Sequence, residues 1–464
     1  MRPENESFNI LDVIENDYCV GCGVCTTVDD SPIKILMNEN GQYQATIKND
    51  FFNNELISNL NSICPFTNES ENEDQIAKRR FSDLPKFNPK IGFYDGLFAG
   101  FVAEDRYRKE GSSGGFGSWL CSELLNQNYV DEVIHIKPDE EEKFVFGVSG
   151  SVEEIKRGSK SRYYPVEMSE VLEYVRSSDK KFAIVGIPCF IKATHLLSNS
   201  NKDFESKILF RIGLVCGHLK SKFYADMLAI KMDYNIQNPY DINFREKLEG
   251  KTANRYGTKV SCKTDSGTRS TVRMTNEIFG TKWSYGFFKY NACDYCDDVL
   301  AETADITIGD AWLPEYIDDY LGSNIIVSRN KELTSLINVA KKEKRVVVDS
   351  PEEAQIIESQ AGGFRHRHDG LAYRLHLKDR SGLKRPIKRI KASSTKLNLS
   401  RKMIYMLRMK IRKKSFHYFK IALKKSNIDY FDNRMKNWVI LHDFASKISL
   451  TKIINKLKKI VKWK

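Results

Sequence analysis

Short apolar runs separated by stretches of helical periodicity dominate the middle of the chain. Lys181–Val185, Ile208–Val215, Ala304–Trp312, Ser323–Ser328 and Arg345–Val348 each read as a buried strand. Continuous apolar strands with helical segments between them predict a mostly parallel sheet with covering helices. A second unit opens at Gly100–Ala103, runs through a helical pattern over Trp119–Leu125 and leads to a further strand predicted at Val130–Lys137. Near the N-terminus, Ile33–Met37 and Gly41–Ile47 alternate around a turn, which predicts a β-hairpin. Residues 70–97 are polar, hold Pro85 and Pro89, and read as a linker over the surface. Towards the end, Met403–Leu423 and residues 444–463 set apolar side chains at helical spacing among many lysines. The fold class is α/β (α+β overall), with expected domains at 10–70, 98–172, 178–375 and a basic helical tail at 376–464.

The first stretch with distinctive chemistry is Tyr18-Cys19-Val20-Gly21-Cys22-Gly23-Val24-Cys25. C-x2-C-x2-C is the opening of the bacterial ferredoxin run, in which thiolates hold an iron–sulfur cluster and a later Cys-Pro supplies the fourth ligand. Cys64-Pro65 fits that place, so Cys19, Cys22, Cys25 and Cys64 are expected to hold a [4Fe–4S] cluster. A structural zinc knot is the alternative, but zinc sites pair C-x2-C units or add histidine. No histidine precedes His135. A second set is Cys189 and Cys216, each just after an apolar strand, with the C-x2-C of Cys293 and Cys296. Parallel strands bring such ends to one edge, where open α/β sheets bind ligands. A second cubane and a zinc both suit this set. Cys121 and Cys262 read as thiols of a helix interior and a strand.

The loop Gly111-Ser112-Ser113-Gly114-Gly115-Phe116-Gly117 opens the helical pattern at Trp119. Such a loop presents N–H groups and hydroxyls to a phosphate, although a tight turn with an N-cap explains it as simply. Arg157-Gly158-Ser159-Lys160-Ser161-Arg162 adds cations suited to a pyrophosphate, or forms a solvated basic turn.

A chain of 464 residues, 41% hydrophobic and 29% charged, supports two or three ordinary domains. No secretory signal or uninterrupted apolar span is evident, and ten cysteines in this length do not make a disulfide scaffold. A cytoplasmic location is expected, with a peripheral position on the inner membrane surface as a variant of it. The net charge of +12 hides an asymmetry. Residues 374–464 carry 28 Lys/Arg against 4 Asp/Glu, while the rest carries 45 against 57. Basic amphipathic helices lie on anionic membranes or pack on a partner. Here a hairpin docked on the acidic body is an equal reading. Non-specific nucleic-acid affinity ranks last, because no recognition module accompanies the charge.

Taken together, these motifs resemble the β subunits of coenzyme F-420-reducing hydrogenases and dehydrogenases and their bacterial relatives. The resemblance rests on Cys19–Cys25, Gly111–Gly115, Arg157–Lys160, Gly186–Cys189, Leu214–His218, Phe244–Lys247, Cys293–Cys296 with Asp305–Asp310, and Ser359–Gly363 with Arg365 and Arg367. It spans about residues 12–375 and implies an iron–sulfur flavoprotein. The implied cofactors are FAD and two [4Fe–4S] clusters, the inner one on the second thiol set. Ser112, Ser113, Gly114, Gly115, Ser159 and Lys160 would then lie at the flavin. Arg245 and Lys247 would line its pocket or the substrate mouth, with His218 as proton donor. The chain departs from the family in having one N-terminal cysteine set where many relatives have two, no hydrogenase active-site motif of its own, and the basic tail.

The expected function is that of an oxidoreductase. Electrons would pass from ferredoxin or another one-electron donor through the clusters to FAD. A small organic acceptor would follow, with a step in polysaccharide biosynthesis as one setting. The alternatives are a non-catalytic electron-transfer subunit of a hydrogenase or dehydrogenase complex, and a scaffold in surface-polysaccharide assembly.

Overall fold

The computed structural model describes residues 7–48 and 53–447. An eight-stranded sheet runs through the body of the chain. In spatial order its strands are Val346–Asp349, Gly96–Val102, Asn324–Ser328, Ile306–Asp310, Ile208–Leu214, Phe182–Gly186, Glu132–Asp139 and Lys143–Ser149. The four strands beginning at Ile306, Ile208, Phe182 and Glu132 pair in parallel. The flanking pairings are antiparallel, and five of the eight strands run in one direction. The expected sheet is thus present with a parallel centre. Its strands read as unbroken apolar runs because both faces are covered: Phe182 and Ile184 enter one core, and Ala183 enters the other.

Parallel neighbours need crossovers, and helices Pro188–Ser200 and Lys202–Lys207 link the strand Phe182–Gly186 to Ile208–Leu214. This places the residues after Gly186, Leu214 and Asp310 at the same edge of the sheet.

The N-terminal module contains helix Ile10–Glu15, whose Asn9 and Asp12 form a capping box, and helix Asn54–Ile63. Its hairpin pairs Ile33–Met37 with Tyr43–Ile47, as the alternation predicts.

Residues 70–97 correct the linker expectation. They form helix Glu73–Phe81 and a short hairpin of Lys86–Asn88 with Gly92–Tyr94. Ile76, Ala77, Phe81, Ile91 and Tyr94 are buried, so this segment belongs to the core. A three-stranded sheet of Asp241–Glu246, Gly257–Thr264 and Gly267–Met274 adds to the body.

The tail folds as two helices, Leu399–Lys424 and Ile428–Lys447. The Ser400 hydroxyl donates to the Ala445 carbonyl at 2.7 Å, which fixes them as an antiparallel pair. Phe419 and Phe431 pack on Phe288 at ring distances of 5.1 and 5.7 Å. The apolar side of Met403–Leu423 is therefore spent on the body, as in the docked-hairpin reading and against the membrane-surface one. Most of the second amphipathic stretch, residues 448–464, lies outside the described residues. No described helix is long and apolar enough to cross a membrane.

Candidate functional site

The N-terminal thiols are set by a tight loop. Gly21 has φ +68, and a Cβ there would stand 2.3 Å from the Tyr43 carbonyl oxygen. Gly23 has φ +90, with a Cβ reaching 2.8 Å from the Ser169 amide nitrogen. Only glycine allows this close approach without strain. The 3-10 turn Val24–Thr27 then carries Cys25, and Cys64 caps the C-terminus of helix Asn54–Ile63.

All four thiols line one cavity, whose other walls include Ile10, Val13, Val20, Ile35 and Phe66. The amides of Ala45 and Gly21 donate to the Cys19 sulfur at 3.2 and 3.3 Å. Burial pushes the Cys64 thiol up to about 12, so these groups do not ionise unaided. A metal centre supplies the positive charge that lets buried thiols ionise.

The second set forms where the topology places it. Cys189 lies in the first turn of helix Pro188–Ser200, directly after the strand Phe182–Gly186. Cys216 follows the neighbouring parallel strand Ile208–Leu214. Cys293 sits in the turn Ala292–Tyr295, and Cys296 ends it. The four thiols line one cavity together with Arg367, Leu219 and Ile187. The Leu219 amide donates to the Cys293 sulfur at 3.2 Å. Burial raises Cys293 to about 12 and Cys296 to about 11.

The two cavities share walls. Val20 and Phe66 line both, and Tyr290 is buried within electrostatic reach of both Cys19 and Cys293. Among the described residues, no three His, Cys, Asp or Glu side chains are drawn together tightly enough for a single metal ion.

The glycine–serine loop and the Arg157–Tyr163 segment also meet. The Ser161 amide donates to the Ser112 hydroxyl at 2.7 Å, and Ser118 and Ser159 share a hydroxyl bond of 2.8 Å. Ser113 donates to the Ser323 carbonyl, so its hydroxyl is committed to the fold. Gly115 has φ +90 and precedes helix Phe116–Asn126 without any side-chain cap. The tight-turn reading therefore describes this element, with glycine rather than serine as the N-cap residue.

Lys247 donates to the Ser113 carbonyl at 2.9 Å. Burial first, then Lys160, Arg108 and Arg245, bring its ammonium down to about 7. Four cations crowding one loop make a field suited to an anion. Arg245 is held differently: two bonds of 2.8 and 3.0 Å tie its guanidinium to Asp310 at the end of the strand Ile306–Asp310. It is a buried ion pair that faces the rings of Tyr256 and Trp312.

His218 stacks on Trp283 at 4.2 Å, and its Nε2 has no hydrogen-bond partner. Burial, then Lys220, Lys289 and Arg367, hold it well below the usual histidine range. Trp283 in turn lies 4.7 Å from Tyr163. An aromatic file thus connects the second thiol set to the segment carrying Ser159 and Lys160.

Cys121 is buried in helix Phe116–Asn126 and Cys262 lies on the strand Gly257–Thr264, both as expected. The sequence reading missed Val20, Phe66, Tyr290 and Trp283 as walls and bridges. Arg367 was visible only as part of the motif Ser359–Arg367, with nothing to show what it faces.

Comparison with known families decides the membership. Residues 97–173 match the coenzyme F420 hydrogenase/dehydrogenase beta subunit N-term, and residues 179–354 match the same beta subunit's C terminus. The chain belongs to this family. A curated relative, one of the subunits of the F(420)H(2) dehydrogenase of Methanosarcina mazei, is 22% identical over 352 residues. That alignment covers 73% of this chain and 87% of the relative. Among solved structures, a chain of the F420-reducing [NiFe] hydrogenase complex from Methanosarcina barkeri matches with a TM-score of 0.49 and 16% identity. It covers 65% of this chain and 98% of that one. The family-matched residues contain the glycine–serine loop and the second thiol set. The N-terminal thiols and the tail lie outside them.

Proposed function

We propose that the chain is an electron-transfer subunit of a larger oxidoreductase complex, with a cluster on each thiol set and a flavin at the glycine–serine loop. The carrying observation is that two four-thiol cavities share the walls Val20 and Phe66. Two adjacent metal centres serve the passage of single electrons. The fit of each cavity to a cluster rests on four buried or half-buried thiols lining it, mostly apolar walls and amides aimed at sulfur.

The names of the relatives favour a subunit over a self-sufficient reductase, so the chemistry on the final substrate is assigned to a partner chain. A role in polysaccharide assembly finds no support in the relatives. Clusters supply one-electron steps, and a flavin couples these to a two-electron reaction when bound. The chain's own residues provide the setting. Ser112 ties the glycine–serine loop to the Ser161 amide, and Gly114 and Gly115 let it pack closely on Gly100, Asn324 and Tyr107. Lys160 and Lys247 offset the charge of an anion there. Arg245 stays fixed on Asp310, and the ring of Trp283 fills the space between His218 and Tyr163. Ferredoxin is one donor consistent with the N-terminal set.

The test is anaerobic purification of the full chain followed by iron and flavin analysis. About eight iron and one FAD per chain are expected for two cubanes and a flavin. Four iron without flavin defeats the reading. Turnover of an organic acceptor by the isolated chain would favour a self-sufficient enzyme instead.

A further inference from the structure

The cavity of the second thiol set contains one strong charge of its own. Arg367 is 2% exposed and lines that cavity beside Cys189, Cys216, Cys293 and Cys296. It is delivered by a π-helical turn, Arg365–Asp369, inserted between the helical segments Ala361–Phe364 and Gly370–Arg380. Such widened turns recur at functional sites because they re-aim a side chain that an α-helix would direct elsewhere.

The guanidinium is held by neutral groups. It donates to the Asp298 backbone carbonyl, and to the Gly217 carbonyl at 3.2 Å. Its Nε has no hydrogen-bond partner. Arg374, Arg389 and Arg412, from the same part of the chain, each reach a carboxylate. Among the described residues no carboxylate reaches Arg367 at ion-pair distance; the Asp298 carboxylate acts on it from farther off, after the sulfurs. Backbone carbonyls do not offset a buried cation, and a buried ion without a counter-charge is strongly disfavoured. The sulfurs of Cys296, Cys216 and Cys293 are the groups that act on it most, after burial. This arrangement makes sense when those sulfurs carry negative charge.

We propose that Arg367 is the counter-charge of the second thiol set, a positioning residue that raises the reduction potential of the centre held there. The inference rests on the two-cluster reading above. Reduction adds one electron, delivered by a one-electron donor, with no bond formed or broken and no proton taken up. The negative charge of the centre therefore grows by one, and a fixed cation stabilises the reduced form more than the oxidised one. The N-terminal set has no equivalent. The lysine acting on Cys64 is Lys192, and Glu73 pairs with it at 3.4 Å. Electrons entering at Cys19, Cys22, Cys25 and Cys64 would then drain towards Cys189, Cys216, Cys293 and Cys296. The direction is set by one guanidinium.

The experiment is a potentiometric titration followed by electron paramagnetic resonance on the full chain, comparing wild type with Arg367→Gln and Arg367→Lys. The signal of the second centre is assigned by its loss in Cys293→Ala. Arg367→Gln should disfavour reduction of that centre at least tenfold, which for one electron is about 59 mV. The N-terminal centre should not move, and Arg367→Lys should stay near wild type. Should Arg367→Gln instead fail to retain the second centre while Arg367→Lys retains it, the counter-charge role is equally supported. Two unchanged midpoints in an Arg367→Gln protein with both centres present would overturn the proposal. So would equal loss of the second centre in both variants, because the guanidinium's shape rather than its charge would then be at work. A wild type with only one centre would instead defeat the two-cluster reading, and iron analysis distinguishes the cases.

Discussion

Asp294, inside the second C-x2-C, offers the sharpest test of how this region is held. Its carboxylate is 1% exposed in a setting rich in cations: Lys289 at 2.5 Å, Arg412 at 3.3 Å and Arg374 at 3.7 Å. Those three side chains are themselves 2%, 7% and 1% exposed. Water screens these charges little, and Asp294 is the carboxylate all three share, with Arg412 also reaching Asp17 at 3.9 Å. Replacing Asp294 with Asn keeps the shape and removes the charge. Breaking a buried ion pair costs about 3–5 kcal/mol, because the partner is left buried and uncompensated. Unfolding entropy of about 2.1 cal/mol/K per residue, applied to 464 residues, totals about 1 kcal/mol/K. Asp294→Asn is therefore expected to lower Tm by about 3–5 °C.

The assay is differential scanning calorimetry of the anaerobic full chain, with Lys289→Met as the second arm of a double-mutant cycle. Lys289→Met alone leaves Asp294 facing two arginines and should be mild. In the double variant it should recover part of the loss, because one stranded cation is gone. A fall in Tm below about 1 °C for Asp294→Asn, or a double variant that is simply additive, would refute the reasoning.

The remaining expectations concern other parts of the chain. Gly21→Ala places a Cβ against the Tyr43 carbonyl at positive φ; it should cost about 1–3 kcal/mol and release iron from the N-terminal set first, as read by metal analysis. Phe419→Ala removes a ring buried among Phe223, Phe288 and Phe431, with an expected loss of about 3–5 kcal/mol in denaturant titration. His135 is buried, bonded to Ser149 at 2.8 Å, and lowered by burial to about 4. Between its ordinary value of about 6.5 and about 4 only the unfolded chain takes up the proton. Its contribution is therefore complete above that window and lost as pH falls through it. The Tm difference between wild type and His135→Gln should shrink on acidification from pH 7.5 to pH 5.

Much of the architecture was legible because it depends on local pattern. The strands Phe182–Gly186, Ile208–Leu214 and Ile306–Asp310 are apolar runs buried on both faces, and such runs are visible without any partner. Knowing that two of them are parallel places Cys189 and Cys216 at one edge. The helix Glu73–Phe81 was read as linker because its apolar residues, Ile76, Ala77 and Phe81, stand among Lys78, Arg79 and Arg80. The capping box of Asn72 and Gln75 was the signal overlooked. The strand Gly267–Met274 is exposed over most of its length and carries little apolar pattern. Arg367 was beyond sequence reasoning for another reason. Its place among the four thiols comes from a π-helical turn and a lining shared by distant segments, which only the assembled cavity shows.

Part of the tail's charge is paired within the fold. Lys388 meets Asp297 at 2.9 Å, and Arg389 reaches Glu302 at 2.9 Å and Asp74 at 2.7 Å. Arg412 reaches Asp294, Lys384 reaches Asp12 at 2.6 Å, and Lys420 reaches Glu39 at 2.6 Å. Asp12, Glu39 and Asp74 belong to the N-terminal part of the chain, whereas Asp294, Asp297 and Glu302 surround the second C-x2-C. One cationic segment thus ties both thiol sets to a common strap. The pairs at Asp12, Glu39 and Asp74 are partly exposed and contribute little each. Those at Asp294 and Asp297 are buried, where removing the carboxylate strands its cations at a high cost. The strap's hold is therefore strongest beside Cys293 and Cys296, and it loosens towards Cys19–Cys25. Salt should weaken the N-terminal attachments before it affects the inner ones.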